Sequence, residues 1–397
     1  MRVVSPSISL LERGGVNPCS VGILSTYPPT PCGLATFSAA LANGLAANGT
    51  DVSVVRIADG SFPNQGHHCR GEARVVGELL NGSAPSVAAC SDLLNQCDVA
   101  VIQHEYGLYG GVDGDEVLDV IGDLLVPSIV VAHTILRDPT PHQRSVLVEV
   151  AARADQVVVM SEAASQRLCR GFDIDPAKVM TIPHGAAIPG DRPSQAAHPG
   201  RPMLLTWGLI GPGKGIERVI DAMRSLHDLD VRPRYLVAGR THPKVLAAEG
   251  EAYRNARIEQ AWRNGVAASV FFDADYRDVA SLTALIQSCA VVVLPYDSKD
   301  QVTSGVLVDA IAAGRPVIST AFPHAVELLA SGAGMIVDHD DPDGLARALH
   351  SVLTEPDLAA GMAAEASRLA PLMGWGVVAG AYTDLAERLL AERPALV

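Results

Sequence analysis

The 397 residues are 48% hydrophobic and 19% charged, a composition that gives a folded chain of two or three domains and excludes disorder as its main state. Thirty Lys and Arg against 44 Asp and Glu leave a formal charge of -14, so broad binding to nucleic acid or to an anionic membrane would work against the field of the whole chain. Seven cysteines, widely spread and without a Cys-x-x-Cys pair, argue against a disulfide framework or a zinc ribbon and fit a reducing cytosol.

The opening MRVVSPSISLLERGGV has too short an apolar stretch for a signal peptide, and no run of about 18 apolar residues follows, so a cytoplasmic protein is expected. Short β-branched runs then alternate with helical patterns: VGILS from Val21, DVSVVRI from Asp51, DVAVIQ from Asp98, SIVVAH from Ser128, QVVVMS from Gln156 and KVMTIP from Lys178. Helical patterns cover Phe37 to Ala47 and His142 to Ala154. This alternation predicts an α/β domain around a mostly parallel sheet over residues 1–190. Proline and glycine crowd Pro183 to Pro202 with no periodicity, and residues 191–202 read as a linker. A second α/β series starts afresh over 203–372, with MLLTWG from Met203, RYLVAG from Arg234, SVFF from Ser269, VVVLPY from Val291, PVIST from Pro316 and GMIVD from Gly334. Two Rossmann-like domains in tandem are the expected architecture.

Ligands of open parallel sheets bind beyond the carboxyl ends of the strands, so the residues after each strand are the place to look for chemistry. The second series supplies Gly208 to Gly215, GLIGPGKG, where four glycines and a proline accompany Lys214, one of only four lysines in the chain. Free backbone N–H groups and a cation at a strand-to-helix turn suit a phosphate, although the loop is no Walker A sequence and a Gly-Pro turn with a solvated lysine is the plain alternative. In DQVTSGVLVDAIAAGRPV, Ser304 is a candidate N-cap, Gly305 opens the helix and Gly314 ends it, so a helix N-terminus suited to a diphosphate faces the site. Asp309, a little over one turn in, has apolar neighbours on both sides and needs a partner or a ligand.

Here the sequence resembles glycosyltransferase family 4, whose members pair two Rossmann-like domains in the GT-B fold over a nucleotide-sugar cleft. The family's C-terminal signature is Glu, seven residues, Glu, then Ala-Met-Ala-x-Gly-x-Pro-Val-Ile-x-Thr; Asp309 to Thr320, DAIAAGRPVIST, matches nearly throughout, with Gln301 and Asp309 at the two acidic positions. The resemblance implies that Gln301 contacts donor-sugar hydroxyls and Asp309 the nucleotide ribose, with Thr303, Ser304 and Gly305 also among the donor-binding residues. Lys214 keeps the lysine of the family's diphosphate loop, Leu209 replaces its arginine, and Arg240 after the next strand is the candidate substitute. Gly33-Leu34-Ala35-Thr36-Phe37 resembles the family's glycine-rich first loop, placing Gly33 and Leu34 near the donor phosphates. His133 matches the family's acceptor-side histidine, and His104 and Glu105 lie in the stretch expected to shape the acceptor pocket. The resemblance runs from about Val21 to Leu390, and residues 373–397 fit the terminal helix that crosses back to the first domain.

The implied reaction is a retaining transfer of mannose or glucose from a nucleoside-diphosphate sugar to a carbohydrate, glycolipid or small-molecule hydroxyl. It would need neither metal nor resident cofactor, with Lys214 and His133 as the catalytic residues. Residues 1–190 hold 11 Arg and Lys against 19 Asp and Glu, so at most peripheral membrane contact is expected. Two alternatives share the architecture: a nucleotide-sugar 2-epimerase, and a nucleotide-sugar-binding protein whose site has degenerated at Gln301 and Leu209.

Overall fold

The computed structural model describes residues 19–30, 32–60, 73–190, 200–275 and 277–393. Most of the expected linker, 191–199, lies outside them, as do residues 1–18 and 394–397 at the ends of the first and last expected segments. The first domain contains β1 (Ser20–Ser25), β2 (Asp51–Ile57), β3 (Arg74–Leu79), β4 (Val99–His104), β5 (Ser128–Ala132), β6 (Gln156–Val159) and β7 (Val179–Thr181). The second contains β8 (Met203–Trp207), β9 (Arg234–Ala238), β10 (Val270–Asp273), β11 (Val291–Leu294), β12 (Val317–Thr320) and β13 (Gly334–Val337). Every strand pairing is parallel, in the orders β3-β2-β1-β4-β5-β6-β7 and β10-β9-β8-β11-β12-β13. Helices cover both faces of each sheet, so the central strands are buried on both sides and read as unbroken apolar runs such as VVVL in β11.

Two elements differ from the sequence expectation. β3 was absent from it, because RVVGEL alternates exposed and half-buried positions at the edge of the sheet and lacks the apolar run of its neighbours. The first helix begins at Gly33 and not at Phe37, since the Cys32 thiol caps it by accepting from Ala35 N–H at 3.3 Å. The stretch that reads as a glycine-rich loop is therefore that helix's first turn.

The chain returns to the first domain through the helix Trp375–Glu392. Its Val378, Ala379, Tyr382, Leu385, Ala386 and Leu389 join Phe37, Leu41 and Leu45 in the first domain's core. The two crossing segments lie side by side: Ala186 N–H donates to Met373 O at 2.7 Å, and Trp375 N–H to Ala186 O at 3.3 Å. Close approach of the returning helix depends on Gly44, where a Cβ would stand 2.9 Å from Trp375 O and 3.0 Å from the Ala379 Cβ. Neither atom can rotate away. Gly44→Ala should therefore be net destabilising, because overpacking costs about 1–3 kcal/mol against a helix-propensity gain of up to about 1 kcal/mol. A denaturant midpoint equal to or above that of the wild type would refute the tight-contact reading.

Candidate active site

The strand order reverses between β1 and β4 in one sheet and between β8 and β11 in the other, and at such switch points the loops diverge to leave a crevice. On the first domain's side of this crevice, Gly33 and Leu34 carry the first, intrinsically unpaired N–H groups of their helix. Gly33 is exposed, and a Cβ placed there would meet nothing within 4 Å.

After β8, the loop Gly208 to Gly215 folds against the end of β11. Asp297 N–H donates to Gly213 O at 3.0 Å, and Gly215 takes φ 63°, where a Cβ would collide with Pro295 O. This turn lays Lys214 Nζ over the Tyr296 ring, 4.4 Å from its centroid. Burial pulls the Lys214 pKa down, and no carboxylate among the described residues offsets it. The result is a largely desolvated cation with no anionic partner. Arg240 follows β9; its carbonyl accepts from Ile210 N–H at 2.8 Å, which ties the two loops together, while its side chain is exposed.

After β11 comes the helix Gly305–Ala312, capped by Ser304, whose hydroxyl accepts from Leu307 N–H at 3.3 Å. Ser304 N–H is taken by His324 Nδ1 at 2.9 Å, so this ring acts as an acceptor, and burial keeps it neutral with a pKa near 4. Gln301 is half-buried and folds its Nε2 onto Thr303 O at 2.9 Å, leaving its amide oxygen for another donor. The Thr303 hydroxyl is buried without a partner. Asp309 keeps a partly accessible surface, yet its carboxyl sits deep enough among apolar groups that burial raises its pKa to about 7.

On the acceptor side, His133 Nε2 meets Gln103 Oε1 at 2.6 Å. With the amide oxygen facing the ring, Nε2 is the donor and Nδ1 is left as an acceptor. Burial and the neighbouring His184 and His104 lower the His133 pKa to about 3, so the ring is neutral at pH 7. The Phe37 ring lies edge-on to His133 at 4.9 Å and to His184 at 5.0 Å. A Cβ on Gly305 would come within 2.9 Å of His184 Nε2, so His184 lies between Phe37 of the first helix and the start of the helix Gly305–Ala312. Glu105 accepts from Thr134 Oγ1 at 2.5 Å and from Tyr106 N–H at 3.1 Å, and burial raises its pKa against the lowering effect of those bonds and of Lys244. His104 is 1% exposed with both ring nitrogens unpartnered, a position enclosed at the strand end and not open to the crevice.

Sequence reasoning did not single out Gln103, Tyr296 or His324 as individual site residues. Each lies at or just after the carboxyl end of a strand, and what each does depends on a side chain from another loop. Among the described residues no three His, Cys, Asp or Glu are grouped to hold a metal ion, and no helix is long and apolar enough to cross a membrane.

Two parallel sheets, with a half-buried lysine and a helix N-terminus on the loops of the second switch point, are the architecture of the GT-B class of glycosyltransferases. Family models bear this out: Glycosyltransferase Family 4 matches residues 31–188, and Glycosyl transferases group 1 matches residues 188–369. The chain belongs to glycosyltransferase family 4. It is 29% identical over 272 residues to the D-inositol 3-phosphate glycosyltransferase of Rhodococcus jostii, a match covering 63% of this chain and 58% of that protein. It is also 27% identical over 249 residues to the enzyme of the same name from Streptomyces avermitilis, covering 60% and 52%. The matches thus span a little over half the length of these relatives. Among solved structures, the sucrose-phosphate synthase of Thermosynechococcus elongatus superposes with TM-score 0.74 at 17% identity, covering 95% of this chain and all of that one. Anabaena HepE in complex with UDP superposes with TM-score 0.72 at 16% identity, covering 93% of this chain and all of that one. At these identities the likeness is one of fold.

Proposed function

We propose that this protein transfers a hexose, glucose or mannose, from a nucleoside-diphosphate sugar to a hydroxyl of a carbohydrate, glycolipid or small-molecule acceptor, with retention and without a metal ion. The observation that carries this reading is Lys214. A half-buried cation with no carboxylate partner among the described residues, on one loop of a switch point whose other loop leads into a helix N-terminus, is a poor arrangement for an empty protein and a good one for a bound diphosphate. HepE has been solved with UDP-glucose, and a trehalose-6-phosphate protein of the same fold with UDP-2-fluoro glucose, which supports a sugar nucleotide in the equivalent crevice.

In this reading Asp309 accepts hydrogen bonds from the ribose hydroxyls, and Gln301 and Thr303 face the sugar. Lys214, the N–H groups of Gly305 and Val306, and Arg240 neutralise the diphosphate. The acceptor oxygen attacks the anomeric carbon from the face that the diphosphate leaves. The C–O bond to phosphate breaks, and the acceptor proton passes to a departing phosphate oxygen. Neutral His133 orients a hydroxyl through Nδ1. Charge then develops mainly on the leaving group, where preorganised donors have their largest effect.

A thermal-shift screen of nucleotide sugars followed by assay of free-sugar release tests the reading. Stabilisation by one sugar nucleotide together with slow acceptor-independent hydrolysis supports it, whereas binding without turnover across donors and acceptors sinks it. Gln301→Glu sharpens the test at the donor sugar. An amide both donates and accepts, and a carboxylate there loses the donor and adds charge beside the diphosphate. Donor turnover is expected to fall in Gln301→Glu, and a gain would overturn the adaptation of this amide to the sugar.

A further inference from the structure

The second domain's loop from Asp297 to Ser304, which carries Gln301 and Thr303, is gripped by one helix of the first domain. The helix Glu162–Phe172 follows β6, and its N-cap Ser161 uses one hydroxyl twice. It accepts from Ala164 N–H at 3.0 Å, closing the helix's first turn, and donates to the Val302 carbonyl at 2.5 Å. Farther along the helix, Arg167 Nη1 donates to the Asp300 carbonyl at 2.7 Å and, within its own domain, to the Ile135 carbonyl at 2.9 Å. The two peptide carbonyls held in this way flank Gln301. Between them, the Val302 side chain is 4% exposed and packs into the hydrophobic core of the first domain, away from the core of its own. The contact is reciprocal. Glu327, on the second-domain helix Pro323–Leu329, accepts from Glu162 N–H at 2.9 Å and Ala163 N–H at 2.8 Å, capping the helix that holds the loop.

The contacts of Ser161, Arg167 and Val302 converge on the residues either side of Gln301, and Glu327 caps the helix that makes them. We propose that Ser161 and Arg167 are positioning residues of the first domain that set the backbone of the second domain's sugar-facing loop, so that the donor-sugar contacts are complete only while the domains are closed on each other. This rests on the reading of Gln301 as a donor-sugar contact. Opening the crevice would strip two carbonyls of their donors and expose Val302, so the loop would lose its fixed conformation together with the interface. Nucleotide affinity depends less on this device, because Asp309 and Lys214 lie outside the gripped loop.

The test compares Arg167→Ala, Arg167→Lys and Ser161→Ala with the wild type, using UDP-glucose and GDP-mannose as donor probes and UDP and GDP as nucleotide probes. Misplacement of a positioning loop costs up to about 100-fold, so Arg167→Ala is expected to raise donor KM or lower turnover at least ~10-fold. Affinity for the matching nucleoside diphosphate should fall several-fold less than the donor parameter, since Asp309 and Lys214 lie outside the gripped loop. Amide hydrogen exchange of residues 298–304 should accelerate in Arg167→Ala and return towards wild type in Arg167→Lys, which keeps a cationic donor. Unchanged donor kinetics with unchanged exchange at 298–304 would overturn the proposal, as would equal weakening of nucleotide and sugar nucleotide, which marks a general structural fault. Gln301→Ala is measured in parallel. If it alters no donor parameter, the donor-sugar reading falls, while the exchange data still decide whether Arg167 holds the loop.

Discussion

Lys214→Ala is expected to lower turnover by at least ~10²-fold, the usual effect of removing one preorganised group that stabilises leaving-group charge. The protein should remain folded. Lys214 stands over Tyr296 with no carboxylate partner among the described residues, and burial already disfavours its charge, so its removal relieves a desolvation cost and breaks no ion pair among them. Lys214→Gln retains most of the side chain's length and a donor but not the charge, and it should lose nearly as much. Turnover is read from nucleoside-diphosphate release at saturating donor, with Tm measured alongside. Near-normal turnover in both variants would remove Lys214 from the leaving-group site.

The second large effect falls on Asp309, and it separates affinity from stability. Asp309→Ala should weaken nucleoside-diphosphate binding by about 1–3 kcal/mol, the range for a lost charge-assisted hydrogen bond. Burial raises the Asp309 pKa from its ordinary 3.8 to about 7, so in the free protein the ribose-accepting carboxylate forms only as pH rises through 7. Nucleotide affinity should therefore increase from pH 6 to pH 8, with proton release on binding measured by calorimetry in two buffers. The stability consequence has the opposite sign. Between pH 3.8 and about 7 the folded protein keeps a proton that the unfolded chain has lost, so stability falls as pH rises across that window and levels off above it. Asp309→Asn removes this dependence. Its Tm advantage over wild type should be small near pH 4, grow to pH 7 and then plateau, while its nucleotide affinity drops. Equal nucleotide affinity in wild type and Asp309→Ala would take Asp309 out of the donor site.

Sequence pattern carried the architecture because burial on both faces writes itself into local composition. Runs such as VVVL in β11 and VGILS in β1 are unbroken precisely where helices cover both sides of a sheet, and β3 escaped notice because an edge strand has no such requirement. The same local logic placed Lys214, Ser304 and Gly305 at strand-to-helix turns and Asp309 just over one turn into the helix that follows, since turn glycines, caps and helix starts depend on a few adjacent residues. Whether such a residue is desolvated, paired or aimed at another loop is a different matter. The Tyr296 ring under Lys214, the Gln103 amide that sets the His133 tautomer, and the grip of Ser161 and Arg167 on the carbonyls beside Gln301 join residues 30 to 141 positions apart. Contacts of that kind are decided by tertiary packing within and between the domains, because hydrogen bonding and desolvation act through space and leave no periodic trace along the chain.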